Sequence, residues 1–229
     1  MAWRAFVTAQ GFGHLVAAGR GRTVPAVVPT QYLLDGGQVW LHLAAANPLL
    51  AALAENATAV LSVAGDWAYI PAAWKAVGEE DPRLGIPTTY YAAVQLTGPV
   101  AVLDDPEEVA AVLRRQLGAL EPGADVADPT VHGPKLRAIR ALRLDIEEVR
   151  AKAKYGGNVD DAHRAAIAER LVERGGPGDA AAHATNARTD TAIWLSRLTP
   201  RLRRNTATAM AKRRKRPTRA TSQRRHPIH

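Results

Sequence analysis

The most regular alternation in the chain lies between Val39 and Leu43. Val39, Leu41 and Leu43 are apolar, with Trp40 and His42 between them. Successive side chains of a strand point to opposite faces, so this period of two predicts a strand with one buried face. Asp35-Gly36-Gly37 just before it is a strong turn signal. Val24 to Leu34, rich in β-branched and aromatic residues, then reads as the preceding strand. Pro25 and Pro29 place that strand at an edge or a bulge, because proline cannot donate to a ladder. His14 to Ala18 predicts an earlier short strand, after the end of a helix over Trp3 to Gln10 and the punctuation of Gly11-Phe12-Gly13.

Further along, Thr58 to Val63 predicts a fourth strand, followed by Asp66-Trp67-Ala68-Tyr69-Ile70. Lys75 to Pro87 has the Gly, Pro and charge content of a loop. Thr88 to Leu103 predicts a long strand broken at Gly98-Pro99, and Ile139 to Ile146 a later one. Lys152 to Asn158 reads as a short strand and turn. Turn-linked strands in close succession predict an antiparallel sheet or barrel.

Helices are signalled between them. Asn47-Pro48 supplies a favoured cap and a favoured first residue for a short helix over Leu49 to Glu55. Asp104-Asp105-Pro106-Glu107-Glu108 places acids at the positive end of a second, with Val109, Leu113 and Leu117 on one face. Asp160 to Arg174 is amphipathic, with His163, Ile167 and Leu171 at helical spacing, and Gly175-Gly176-Pro177-Gly178-Asp179 stops it and caps one more short helix. The expected class is therefore mainly β with flanking helices (α+β).

Charge changes the picture in one respect. The formal net charge is +8 over 229 residues, which invites a nucleic-acid reading. From Thr191 to His229, however, there are 12 Lys and Arg and no Asp or Glu. The rest of the chain then holds 30 − 12 = 18 basic against 22 acidic residues, a net of −4. A binding face normally clusters its Lys and Arg on a structured element, and residues 1–190 show no such cluster. The expected organisation is one domain over 1–185 and a basic, disordered tail over 186–229, built of residues that bury too little apolar surface to fold alone. Nucleic acid is expected only through that tail.

Other classes are excluded or left without support. There is no cysteine, so neither a disulfide nor a thiolate metal site can form. The seven histidines lack ligand spacing. No P-loop, dinucleotide fingerprint or nucleophile elbow occurs. No apolar run approaches the ~20 residues that span a bilayer, and the first residues lack the order of a secretory signal. A cytoplasmic location is the default expectation.

Three stretches carry a family resemblance. Leu41-His42-Leu43-Ala44-Ala45-Ala46-Asn47-Pro48, Trp67-Ala68-Tyr69-Ile70-Pro71-Ala72-Ala73-Trp74 and Pro87-Thr88-Thr89-Tyr90-Tyr91-Ala92-Ala93-Val94 occur in that order. They resemble motifs of the PaiB family, FMN-binding proteins described as negative transcriptional regulators. Asp160 to Arg174 is similar to that family's late helix. The resemblance implies a six-stranded antiparallel Greek-key split β-barrel of the FMN-binding type. It further implies a homodimer with FMN in a groove at the dimer interface, serving as a flavin sensor or regulator. The alternative on the same fold is a flavin-dependent oxidoreductase. The chain departs from the family pattern in two places. It starts inside the family's first helix, which suggests a truncated N-terminus, and Ala45 and Ala46 stand where a basic residue is usual.

FMN asks for donors and positive potential at its phosphate, and for a flat apolar wall with a few hydroxyl or amide partners at its ring. The residue types that answer are Thr30, Gln31, His42, Asn47, Thr89 and Tyr91. Asn47 doubles as a helix cap, and a helix start exposes free N–H groups to an anion. Thr89 and Tyr91 share one face of their strand, opposite Thr88 and Tyr90. Trp67, Tyr69 and Trp74 are assigned to core or dimer packing ahead of a flavin wall. For Lys152, Lys154 and Asn158, a solvated strand end is preferred over phosphate contacts.

Overall fold

A computed structural model describes residues 2–188, apart from 77 and 158. The basic tail therefore falls outside the described residues from 189 on.

The chain opens with α1 (Ala2–Gln10), which packs Trp3 and Val7 inward. Gly11 then takes a left-handed conformation, φ +58°, and turns the chain into β1 (Phe12–Ala17). The segment expected as one strand over 24–34 is two: β2 (Ala26–Gln31), paired antiparallel with β1, and β3 (Leu33–Asp35). Only Tyr32 separates them. It is buried, and its hydroxyl donates to the Val7 carbonyl at 2.7 Å. Gly36 (φ +55°) makes the expected turn into β4 (Gln38–Ala44), whose buried positions are Val39, Leu41 and Leu43, as the alternation predicts.

Asn47 caps α2 (Pro48–Glu55) by accepting from the Leu49 N–H at 3.0 Å. Next comes β5 (Thr58–Ile70), one strand carrying a register shift between Ala64 and Trp67. The expected loop contains α3 (Ala72–Lys75) and a 3-10 turn at Pro82–Leu84. β6 (Thr88–Leu103) is continuous, yet it changes partners at Gly98-Pro99. α4 (Pro106–Leu120) is capped by Asp105 and buries Val109, Ala110, Val112 and Gln116, with Leu113 and Leu117 only half-buried. Helical side chains lean toward the N-terminus, which offsets the buried stripe from the expected face.

β7 (Ile139–Asp145) and β8 (Glu148–Lys154) are separated by Ile146 and Glu147. α5 (Asp161–Arg174) ends at Gly175 in the left-handed conformation, and α6 (Asp179–Arg188) follows. Among the described residues, no helix is long and apolar enough to cross a membrane.

The strands form one antiparallel sheet of eight in the order β2-β1-β5-β6-β7-β4-β3, with β8 beside β6. The resemblance implies six; the eight strands among the described residues include two runs that are each interrupted, at Tyr32 and at Ile146-Glu147. The inward faces of β1, β4, β5, β6 and β7 bury Leu15, Leu41, Leu61, Leu96, Leu142 and Leu144. Each such leucine contributes about 1.5–3 kcal/mol relative to exposure. A second cluster, with Ile70, Tyr90, Tyr155, Ile167 and Leu171, seats α5 and α6 on the sheet.

Candidate functional site: an open sheet face

The register assembles the outward face of β2, β1, β5, β6 and β8 row by row. One row holds Val27, Val16, Val60, Thr97 and Glu148, and the next Pro29, His14, Ser62, Gln95 and Arg150. Gln31 lies opposite Phe12, and Ala64 opposite Ala93, which faces Lys152. Beyond the register shift, Trp67 faces Tyr91, which faces Lys154, and Tyr69 faces Thr89. Alternation puts all of these on the side away from the core.

The face is open and chemically mixed. Trp67 is 63% exposed, Phe12 54% and Tyr69 48%. Large apolar side chains exposed on one face are a mark of a binding surface. Between the aromatics stand the hydroxyls of Ser62, Thr89, Tyr69 and Tyr91 and the amides of Gln31 and Gln95. Along the β8 edge, Lys152 Nζ lies 5.8 Å from the centre of the Tyr91 ring, within reach of a cation–π attraction. Lys75, at the end of α3, is half-buried beside Lys154. Burial lowers the Lys75 pKa, and the Lys154 ammonium lowers it further. Arg150, by contrast, is bridged to Glu148 at 2.8 Å.

Of the six residues singled out by sequence, three lie here: Gln31, Thr89 and Tyr91. The other three are elsewhere. Thr30 points the other way and is buried, its hydroxyl donating to the Gln31 carbonyl at 3.1 Å. His42 projects from β4 toward α4, where its Nδ1 donates to Oε1 of buried Gln116 at 2.6 Å. Asn47 is engaged as the α2 cap. His42 and Asn47 flank the β4–β7 ladder, in which Ala44 meets Ile139; Lys154 is at the other end of the β7–β8 run.

Several face residues were missed in the sequence: Phe12, His14, Ser62, Lys75, Gln95 and Arg150. For all but Lys75, which lies in α3, the signal was the period of two on each strand. Choosing the outward set on all five strands together, however, requires the register. Trp67 and Tyr69 are face residues rather than core, whereas Trp74 packs against the cluster under α5. Lys152 and Lys154 join the face; Asn158 falls outside the described residues.

What holds the aromatic end in place is specific. Arg174 Nη1 donates to the Tyr69 carbonyl at 2.8 Å, and its guanidinium lies 4.7 Å from the Trp74 ring centre. His163 Nε2 donates to the Trp74 carbonyl at 2.8 Å. Gly178 packs directly on the Trp67 backbone, with no room for a side chain. The late helices thus fix the β5 segment that presents Trp67 and Tyr69.

A flat aromatic wall, neutral hydroxyl and amide partners, and cations at one edge fit a ligand with a planar hydrogen-bonding ring and an anionic end. FMN is such a ligand. Comparisons with known proteins agree. The model of the family described as "Putative FMN-binding domain" matches residues 1–148. The flavocytochrome Anf3 from Azotobacter vinelandii is a structural relative at 24% identity and TM-score 0.53, with 71% of each chain covered. The FAD and heme binding protein from Mycobacterium smegmatis is another, at 21% identity and TM-score 0.54, covering 77% of this chain and 78% of that one. At these identities the likeness speaks to fold alone. No curated protein matches the chain. With the family model matching well over half of its length, the chain belongs to this FMN-binding domain family, and FMN is its cofactor.

Proposed function

We propose that the protein works as a homodimer in which the open face of each protomer, closed over by a second copy, holds FMN. In this reading the eight strands wrap as a six-stranded Greek-key split barrel, β2–β3 and β7–β8 each counting as one interrupted strand. The single observation that carries the proposal is the face itself: Phe12, Trp67 and Tyr69 laid bare, with half-buried Tyr91, beside a cationic edge. Left to water, that area is unfavourable. A symmetric second copy buries it and converts a flat half-site into an enclosed one.

Tyr91, Trp67 and Tyr69 would supply the ring wall; Thr89, Gln95 and Gln31 would supply polar partners. When bound, FMN brings electron-accepting ring chemistry to this face. The residues around it bind and orient the ring, and the second protomer excludes water. Following the resemblance at 41–48, 67–74 and 87–94, the biological role is that of a PaiB-type flavin sensor and regulator.

The test combines light scattering with an FMN titration followed by absorption and melting temperature. A dimer that turns yellow and melts higher with FMN is expected. A colourless monomer with an unshifted melting temperature in excess FMN would refute the proposal. Bleaching of the bound flavin by NAD(P)H would move the role from sensor to oxidoreductase. A gel shift at rising salt tests the tail, whose DNA contacts should weaken steeply.

A further inference from the structure

We infer that Lys75, Lys152 and Lys154 form the clamp for the flavin's phosphate, at the β8 edge of the open face. This rests on the flavin reading above and names the part of the face that grips the anionic end.

Lys152 and Lys154 are two apart on β8, so both side chains leave the same face, from Cα positions roughly 6.6 Å apart along the strand. They face Ala93 and Tyr91 respectively. Lys75 approaches Lys154 from α3, which His163 pins through the Trp74 carbonyl. Among the described residues, none of the three lysines has a carboxylate within ion-pair distance, while Arg22, Arg83, Arg114, Arg115, Arg143, Arg150, Arg164 and Arg174 all do. Like charges gathered at one edge without a counter-ion repel; the Lys75 pKa is lowered by burial and secondarily by the Lys154 charge. A phosphate monoester relieves that repulsion and accepts several charge-assisted hydrogen bonds. It would sit beside Tyr91, leaving the attached ring to lie over Trp67 and Ala93.

The competing location is the start of α2. There Ala45 and Ala46 bring no charge, and the Asn47 side chain already occupies the Leu49 N–H.

Riboflavin, which lacks the phosphate, separates the clamp from the ring site. FMN and riboflavin affinities are to be measured by fluorescence quenching on the full chain and on the triple variant Lys75→Gln, Lys152→Gln, Lys154→Gln. Melting temperatures confirm folding. The full chain should prefer FMN over riboflavin by on the order of tenfold or more, and that preference should fall as salt rises. The triple variant should bind riboflavin as before and lose the preference. A preference that survives in the variant, or none in the full chain, overturns the clamp while leaving the flavin reading intact. So does loss of both flavins from a folded variant. Failure of the full chain to bind either flavin overturns the underlying reading as well. Asn47→Asp supplies the counter-test, because Asp caps a helix as well as Asn while adding a negative charge. FMN affinity should be unchanged; a marked loss would move the phosphate to α2 and overturn the clamp.

Discussion

Gly98→Ala should cost the protein about 3 kcal/mol of stability. Gly98 sits where β6 hands over from β8 to β7. Thr97 faces Glu148, yet Val100 faces Leu144, so two residues on one side oppose three on the other. That is a β-bulge, and the bulged strand bends toward its partner. A Cβ on Gly98 would overlap the Asp145 carbonyl oxygen and press on the Glu147 N–H. These are backbone atoms and cannot swing aside as a side-chain tip would. The Glu147 N–H also donates to the Thr97 carbonyl at 2.9 Å, so displacing it breaks a ladder bond. For a domain of this size the cost corresponds to roughly 6–12 °C in melting temperature. Thermal denaturation of Gly98→Ala checks it, and a shift under 2 °C would contradict the bulge geometry.

The second large effect is expected at Asp179, 1% exposed at the start of α6. Its carboxylate accepts from Arg174 Nε at 2.8 Å, Arg174 Nη2 at 2.6 Å and the Gly176 N–H at 2.8 Å. Removing one partner of such a pair costs more than the pair contributes, because the other is left unpaired. Arg174 keeps about a third of its side chain in solvent, which places Asp179→Ala near 2–3 kcal/mol, at or below the low end for buried pairs. The Arg174 hydrogen bonds, then the Gly176 N–H and last the Arg174 charge, hold the Asp179 pKa below the usual carboxylate value, against the cost of burial. The stabilisation is therefore complete above about pH 4, where the unfolded side chain is ionised. It is lost as pH falls through the lowered folded value. Asp179→Ala should be less stable than the parent at pH 7, and the gap should narrow with acid. A gap that is independent of pH down to 2 would contradict the pairing. The same substitution frees Arg174 from its orientation toward the Tyr69 carbonyl, so FMN affinity should drop along with stability.

Most elements were legible in the residues because each carries a local cause. Asn47-Pro48 marks its helix by cap chemistry, Asp35-Gly36-Gly37 its turn by positive φ, and 39–43 its strand by period. Gly98-Pro99 was legible as a discontinuity, though not as a change of partner in an unbroken strand. Pairing is decided by contacts far apart in sequence, and nothing local reports it. The site shows the same division. Alternation pairs Thr89 with Tyr91 and Thr88 with Tyr90, but on one strand alone it does not choose between the two faces. His42 has the same local pattern, yet Gln116 on α4, 74 residues later, claims its ring. Lys75 belongs to the face only because α3 returns it to the end of β8. Trp67 and Tyr69 read as core or dimer packing because large aromatics usually are one or the other; their exposure here removes the core reading.

Ala93→Glu tests the central claim most directly. Ala93 lies mid-face on β6, between Ala64 on β5 and Lys152 on β8, with its Cβ directed away from the core. A carboxylate there occupies the space proposed for the flavin ring and brings negative charge beside the phosphate, with little cost to the fold. We expect a folded protein, melting within a few degrees of the parent, that no longer takes up FMN and no longer dimerises. A variant that binds FMN as tightly as the parent would place the cofactor elsewhere on the molecule.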